Sequence, residues 1–84
     1  MPHLIVKLAK GRTEAVRQEL SDRLTAVVMD VLGHEADAVS VAMVEVDSKD
    51  WMEKVYGPDI AGAEDQLTKR PGYGPLSARA GGAR

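Results

Sequence analysis

The sequence predicts a small α/β protein, a two-layer unit with β-α-β topology. Three observations lead to this prediction: a run of β-branched and aliphatic residues over 3–8, a helical repeat of apolar residues over 13–32, and a nearly continuous apolar run over 38–46. Two strands joined by one helix of this length pair in parallel, with a right-handed crossover. The expected unit therefore has parallel strands in one layer and the helix in the other.

The first strand is predicted over 3–8, where aliphatic and β-branched residues dominate from the very start of the chain. Gly11 interrupts this pattern within the short connection 10–13. We therefore expect a tight link from the strand into the helix.

The long helix is predicted from apolar residues that recur at helical spacing and share one face. They are Val16, Leu20, Leu24, Val27, Val28, Val31 and Leu32. Thr13 suits the N-cap, Glu14 suits the positive end of the helix dipole, and Gly33 suits the position that follows the last turn. The helix should accordingly span 13–32.

The remainder of the chain is predicted to hold one more strand and two short helices. The run over 38–46 is nearly continuously apolar, as expected for a strand buried on both faces. Ser48 is expected to cap a short helix that ends at Gly57-Pro58, and a second short helix is expected over 60–68.

The predicted domain covers residues 1–73, and a mobile tail is expected over 74–84. This last stretch is rich in Gly, Ala and Arg and has little to bury.

Self-association is predicted from the size of the domain. A chain of 84 residues buries only a modest core, and without cysteine it has no disulfides to stabilise it. His3 and His34 are too few and too far apart for a zinc cluster. A lone two-stranded sheet also has open edges and a bare face, so we expect at least a homodimer.

Composition argues against several classes of partner. A net charge of −2 and a pI near 5.6 do not fit a nucleic-acid-binding protein, which needs a basic face. No apolar stretch approaches the roughly 20 residues that span a bilayer. The N-terminus lacks the features of a signal peptide, so cytoplasmic residence is expected.

Pro2 directly after Met1, a strand, the Gly11-Arg12 connection, a long helix and a buried second strand together resemble the 4-oxalocrotonate tautomerase family, within the tautomerase superfamily. The resemblance spans residues 2–73. Features of the second half are similar to the dimeric, phenylpyruvate-tautomerase-like branch: Val41-Ala42, Glu45-Val46, Trp51 and Lys69-Arg70-Pro71-Gly72-Tyr73.

The resemblance implies a β-α-β fold that dimerises into a four-stranded sheet with the helices on one side. It also implies keto–enol tautomerisation of 2-oxo acids without metal or cofactor, with the N-terminal proline moving the proton. Such an enzyme is an isomerase of the intramolecular oxidoreductase type.

Pro2 is the predicted catalytic residue. Removal of Met1 would leave Pro2 with a free secondary amine, and ordinary α-amino groups titrate at about 7.7–8.0, close to what a base at neutral pH needs. Burial and neighbouring cations such as Arg12 or Lys10 would lower the pKa of this amine further. The alternative is that Pro2 is simply a suitable first residue for an edge strand.

Arg12 and Trp51 are predicted substrate-binding residues. The arginine that matches Arg12 in the family binds substrate, and a guanidinium can hold a carboxylate bidentately. The alternative for Arg12 is a solvated surface residue. Trp51 resembles the aromatic residue that lines the family's active site, with a core or interface tryptophan as the alternative.

Ser40 and His3 are weaker candidates for substrate binding. The best-known hexameric enzymes have an arginine at the position of Ser40, where it binds a second carboxylate. Its replacement by Ser40 favours a monocarboxylate with an apolar or aromatic body, such as the enol of phenylpyruvate; alternatively, Ser40 is only a small strand residue. His3 either contacts the site beside Pro2 or points away from it.

Two other functions remain open. Relatives in the superfamily hydrate or dehalogenate haloacrylates or decarboxylate a semialdehyde, which requires a protonated proline and a carboxylate; Glu45, Asp47 and Asp50 are the candidates. The other alternative is a non-enzymatic dimeric interaction module in which the proline is incidental. The preferred hypothesis is a cofactor-independent tautomerase.

Overall fold

A computed structural model describes residues 1–77 and divides the chain into two compact units, Met1–Ser48 and Lys49–Arg84. The larger part of the predicted tail, residues 78–84, lies outside the described residues. The first unit contains the β-α-β framework, and the second contains short helical segments.

The first unit confirms the predicted β-α-β topology. Strand β1 (His3–Ala9) pairs in parallel with strand β2 (Ser40–Val46), and helix α1 (Glu14–Leu32) connects them. The register runs from His3 opposite Ser40 to Ala9 opposite Val46. Strand β2 begins two residues later than predicted, because residues 36–38 form a 3₁₀ turn instead.

Helix α1 covers one face of the two-stranded sheet. Along β1, half-buried residues alternate with exposed ones: Leu4, Val6 and Leu8 are half-buried, whereas His3, Ile5 and Lys7 are exposed. An ion pair from Arg17 of α1 reaches Glu45, which is the register partner of Leu8. The half-buried face is therefore the one beneath α1, and the opposite face leaves Ile5 60% exposed.

The ends of α1 are capped as the sequence predicts. The Thr13 side chain accepts a hydrogen bond from the Val16 N–H at 3.2 Å, which satisfies one of the unpaired donors of the first turn. Gly33 has a φ of +72° and donates its N–H to the Met29 carbonyl at 2.9 Å.

The apolar sector of α1 is only partly buried. Leu24 and Val28 are half-buried, whereas Val16, Val27 and Val31 stay 51%, 56% and 72% exposed. The sheet has two strands and is too narrow to cover the whole sector. This uncovered apolar surface is consistent with the predicted self-association.

In the second unit, the helix does not end at Gly57-Pro58, and that prediction was wrong. A π-helix spans Met52–Ile60 with Pro58 inside it, followed by a 3₁₀ segment over Ala61–Gln66. Proline lacks an N–H and crowds the carbonyl of the preceding turn, and a wider turn relieves that crowding. The Ala61 N–H accordingly bonds to the carbonyls of both Gly57 and Tyr56.

The most deeply buried described side chains belong to the second unit. Val55, Tyr56 and Leu76 are 4%, 2% and 1% exposed. Leu76 lies in a helical turn over residues 74–77. The expectation of an unpacked tail from residue 74 onward therefore does not hold for Leu76.

Candidate active site

Pro2 lies half-buried immediately before β1. Its carbonyl accepts a hydrogen bond of 3.2 Å from the Ser40 N–H at the start of β2. Met1, in contrast, is 98% exposed. The backbone of Pro2 is thus fixed to the sheet, while the residue that precedes it is accessible to solvent.

His3 and Ser40 form a polar pair next to Pro2. They are register partners on the parallel strands, and His3 Nδ1 lies 2.6 Å from Ser40 Oγ. Both residues are exposed. The fold therefore brings together two of the predicted site residues, at the same end of the sheet as Pro2.

Arg12 lies in the connection between β1 and α1. The preceding Gly11 has a φ of +129°, a conformation that side-chain-bearing residues rarely adopt. Arg12 Nη1 donates to the Ala9 carbonyl at 2.8 Å, so the side chain folds back over the end of β1. Lys10 flanks the connection, donating its N–H to the Val46 carbonyl and pairing with Asp47 at 3.4 Å.

Pro2 and Arg12 lie at opposite ends of β1 within one chain. The seven residues His3–Ala9 separate them, a length of roughly 20 Å for an extended strand. Lys10 lies at the same far end as Arg12. Within one chain, Arg12 and Lys10 are therefore too distant to lower the pKa of a Pro2 amine, and only the same residues of a second copy could do so.

Arg17 bridges the Arg12 connection and Glu45. Arg17 was not predicted from the sequence as a site residue. Arg17 Nη1 donates to the Arg12 carbonyl at 2.6 Å and to Glu45 Oε2 at 3.1 Å. The sequence feature that could have identified Arg17 is its place on the sheet-facing side of α1, because a cation that is partly buried there requires an anionic or hydrogen-bonding partner. Glu45 is therefore ion-paired and does not face open solvent as a lone carboxylate.

Asp47 and Asp50, the other carboxylates considered for activating water, are also ion-paired. Asp47 pairs with Lys10 in the first unit, and Asp50 pairs with Lys54 at 3.5 Å in the second.

Trp51 is half-buried in the second unit, just before the π-helix. Its Nε1–H donates to the Tyr73 hydroxyl at 2.8 Å. Tyr73 is 47% exposed and was not predicted as a neighbour of Trp51. Their separation of 22 positions along the chain explains why spacing alone gave no signal.

Residues 1–77, the part of the chain that the structure describes, contain neither a candidate metal cluster nor a membrane-spanning helix. No group of three or more His, Cys, Asp or Glu side chains in this part of the chain could hold a metal ion. No helix in the same part is long and apolar enough to cross a membrane.

Comparison with known proteins identifies the family of this β-α-β chain. The family model described as "Tautomerase enzyme" matches residues 2–57, well over half of the chain. The chain belongs to the tautomerase family. The match begins at Pro2 and includes β1, Arg12, α1, β2 and Trp51.

Individual relatives agree with this assignment. The chain is 58% identical to a "Probable tautomerase" of Xylella fastidiosa (strain 9a5c), over 93% of this chain and 95% of the relative. It is 38% identical to "Tautomerase PptA" of Cronobacter sakazakii (strain ATCC BAA-894), over 87% of this chain and 97% of the relative. Membership of the family supports a tautomerase-type isomerase function.

A solved structure supports the same fold for this tautomerase. The match, titled "Crystal structure of apo unFused 4-OT", has a TM-score of 0.55 and 34% sequence identity. It covers 56% of this chain and 81% of that chain. The predicted tautomerase superfamily and the β-α-β fold are therefore both confirmed.

Proposed function

We propose that the chain is a cofactor-independent keto–enol tautomerase for a 2-oxo monocarboxylic acid, such as the enol of phenylpyruvate, with the Pro2 amine as general base. The observation that carries this proposal is the difference in burial between Pro2 and Met1. Pro2 is half-buried and bonded to Ser40, whereas Met1 is 98% exposed and open to removal. Removal of Met1 would turn the Pro2 nitrogen into a free amine, on a residue whose backbone is hydrogen-bonded to β2.

The proton balance of the reaction needs only this one group. The neutral Pro2 amine accepts the hydroxyl proton of the enol, and the resulting ammonium delivers a proton to C3, which yields the ketone and regenerates the amine. Arg12 binds the substrate carboxylate and holds the enol in place for proton transfer. Metal or redox cofactors have no part in this scheme.

The distance between Pro2 and Arg12 makes a second copy of the chain part of this proposal. Two residues roughly 20 Å apart along one strand cannot contact the same small substrate. Antiparallel pairing of β1 with β1 of a second copy would put the start of one strand beside the end of the other. A homodimer of this kind has a four-stranded sheet and assembles each site from Pro2 of one copy and Arg12 of the other.

Substrate selection rests on three further residues. Ser40 offers no cation for a second carboxylate, which favours a monocarboxylate. His3, hydrogen-bonded to Ser40, is a second polar group at this end of the sheet. Trp51 is proposed to supply an apolar surface for the body of the substrate, and an apolar surrounding keeps the amine neutral. We expect a cytoplasmic enzyme without nucleic-acid or membrane partners.

The first test is an enol ketonisation assay on protein whose intact mass confirms that Met1 is absent. The processed protein should accelerate ketonisation of the phenylpyruvate enol. Pro2→Ala, or a protein whose added N-terminal residues block processing, should lose most of that rate. Undiminished turnover in either variant would exclude Pro2 as the base.

The second test asks whether the site is shared between copies. Pro2→Ala and Arg12→Ala should each be nearly inactive alone. When equal amounts are unfolded together and refolded, roughly a quarter of the wild-type activity should return, because half of the dimers are mixed and one of their two sites is intact. Mixtures that stay inactive would place both residues in a single-chain site and contradict this assembly.

The hydratase, dehalogenase and decarboxylase alternatives differ in the protonation state of the proline. They need a protonated amine and a carboxylate that activates water, but Glu45, Asp47 and Asp50 are each paired with a cation. An NMR titration of the Pro2 nitrogen separates the cases. A pKa below about 7.7 supports the base, and a pKa well above about 8.0 supports the acid.

A further inference from the structure

The guanidinium of Arg17 links the connection that carries Arg12 to strand β2. Its Nη1 donates to the Arg12 carbonyl at 2.6 Å and to Glu45 Oε2 at 3.1 Å. The Arg17 and Glu45 side chains are 25% and 29% exposed, so water screens their interaction less than that of a surface pair. The backbone of Arg12 is thereby tied to Glu45, the second-last residue of β2.

The hydrogen bonds of Arg17 hold the backbone directly after Gly11, where the chain turns from β1 toward α1. Gly11 has a φ of +129° and no side chain, so it restricts the backbone of this connection less than a β-branched residue would. The Arg12 side chain is bonded back to the Ala9 carbonyl, and its own carbonyl is bonded to Arg17. These two bonds fix Arg12 from both sides, and the direction of its guanidinium depends on them.

Helix stability does not explain why position 17 is an arginine. Arg12 and Arg17 both lie near the N-terminal end of α1, where the helix dipole disfavours cations. Glu45 compensates for the charge of Arg17, and within residues 1–77 no carboxylate pairs with Arg12, so its charge can bind an anion. An apolar residue at position 17 would pack against the sheet without introducing a second cation.

We propose that Arg17 and Glu45 are positioning residues that hold Arg12 in the orientation that binds the substrate carboxylate. This inference rests on the proposed function of Arg12. Neither residue touches substrate. Their loss therefore weakens carboxylate binding and leaves proton transfer by Pro2 largely intact.

The test compares Arg17→Gln and Glu45→Gln with the wild type on two substrates. On the phenylpyruvate enol, each variant should raise KM about 10-fold while kcat changes little, because a misplaced guanidinium loses binding contacts. On the enol of the methyl ester, which lacks the carboxylate charge, the KM of both variants should equal that of the wild type. Arg17→Lys keeps a cation but not the planar fork, so its KM should be intermediate.

Arg23→Gln is the matched control, because it removes an arginine and an ion pair from the same helix. Arg23 pairs with Glu19 on the exposed surface, with side chains 77% and 62% exposed. Its KM for the phenylpyruvate enol should stay at the wild-type value. A rise equal to that of Arg17→Gln would overturn the positioning role, as would a rise for Arg17→Gln that is the same on acid and ester.

Amide hydrogen exchange provides a readout independent of turnover. The Lys10 amide, which donates to the Val46 carbonyl at 3.0 Å at the start of the connection, should exchange faster in Arg17→Gln than in the wild type, while the amides of β2 keep their protection. Unchanged exchange at Lys10 would overturn the proposal even if the kinetics changed. A wild-type protein that does not ketonise phenylpyruvate enol would instead refute the proposed function, with the exchange data still testing the tie to Arg12.

Discussion

Tyr56 supports Tyr73 through both its ring and its hydroxyl. The two rings meet edge to face, with centroids 5.2 Å apart and an interplanar angle of 67°. The Tyr56 hydroxyl donates to the Tyr73 carbonyl and accepts from the Leu76 N–H, each at 2.9 Å. Tyr73 in turn accepts the hydrogen bond from Trp51, so this buried phenol organises the surroundings of the only tryptophan.

Tyr56→Phe should destabilise the second unit. The substitution keeps the ring but leaves the Tyr73 carbonyl and the buried Leu76 N–H without their partner, at a cost of about 1–3 kcal/mol. Urea unfolding followed by Trp51 fluorescence measures this loss. An unfolding free energy equal to that of the wild type would show that water replaces the hydroxyl without cost.

Gly74→Ala should also be destabilising, whereas Gly72→Ala should not. A Cβ at position 74 would lie 2.7 Å from a ring carbon of Tyr56, and the φ of +72° is itself unfavourable for alanine. A Cβ at position 72 meets no atom within 4 Å. The expected cost is more than about 1 kcal/mol at position 74, measured as a shift in the urea midpoint relative to Gly72→Ala. Equal midpoints for the two variants would contradict the close packing of Gly74 on Tyr56.

Tyr73→Phe should change the fluorescence of Trp51. Without the phenolic oxygen, the Trp51 Nε1–H exchanges a fixed acceptor for water, which shifts the emission of the half-buried indole. Because Trp51 is the only tryptophan, the signal needs no correction for other sites. Tyr73→Leu provides the comparison that removes the whole ring. An emission spectrum unaffected by Tyr73→Phe would mean that the hydrogen bond is absent in solution.

Thr13→Ala should lower the stability of the first unit by about 0.5–2 kcal/mol, because the Val16 N–H loses its capping acceptor. Thr13→Ser keeps the hydroxyl and should remain close to the wild type. Thermal unfolding monitored by circular dichroism distinguishes the two variants. If Thr13→Ser were destabilised as much as Thr13→Ala, the methyl group and not the hydrogen bond would be the important feature.

The framework of the first unit could be predicted because its signals are local. Helical spacing located α1, and Thr13 and Gly33 set its ends; a β-branched and aliphatic run located β1, and a nearly continuous apolar run located β2. The parallel pairing followed from the length of the crossover. The positions of the strands and the helix depend on residues a few positions apart, the pairing depends on the length of the helix between them, and the structure confirms the β-α-β topology.

The second unit was harder to predict because its structure depends on contacts between distant residues. Gly57-Pro58 signals a helix end, yet the chain continues as a π-helix through Pro58. The segment around Leu76 has an unpromising composition, but a bond from its N–H to Tyr56 accompanies its burial. At Leu76, local composition was overridden by packing and a hydrogen bond between distant residues, whereas at Pro58 the wider π-helical turn accommodates the proline locally.

The sequence by itself determined the family resemblance, the β-α-β order and the identity of the candidate residues, because these follow from residue type and short spacing. The tertiary structure decided which of them meet. His3 and Ser40 pair across the strands, whereas Pro2 and Arg12 lie at opposite ends of β1, because an extended strand keeps its ends apart. Only the folded chain revealed that Arg17 and Glu45, 28 positions apart, hold the connection on which Arg12 sits.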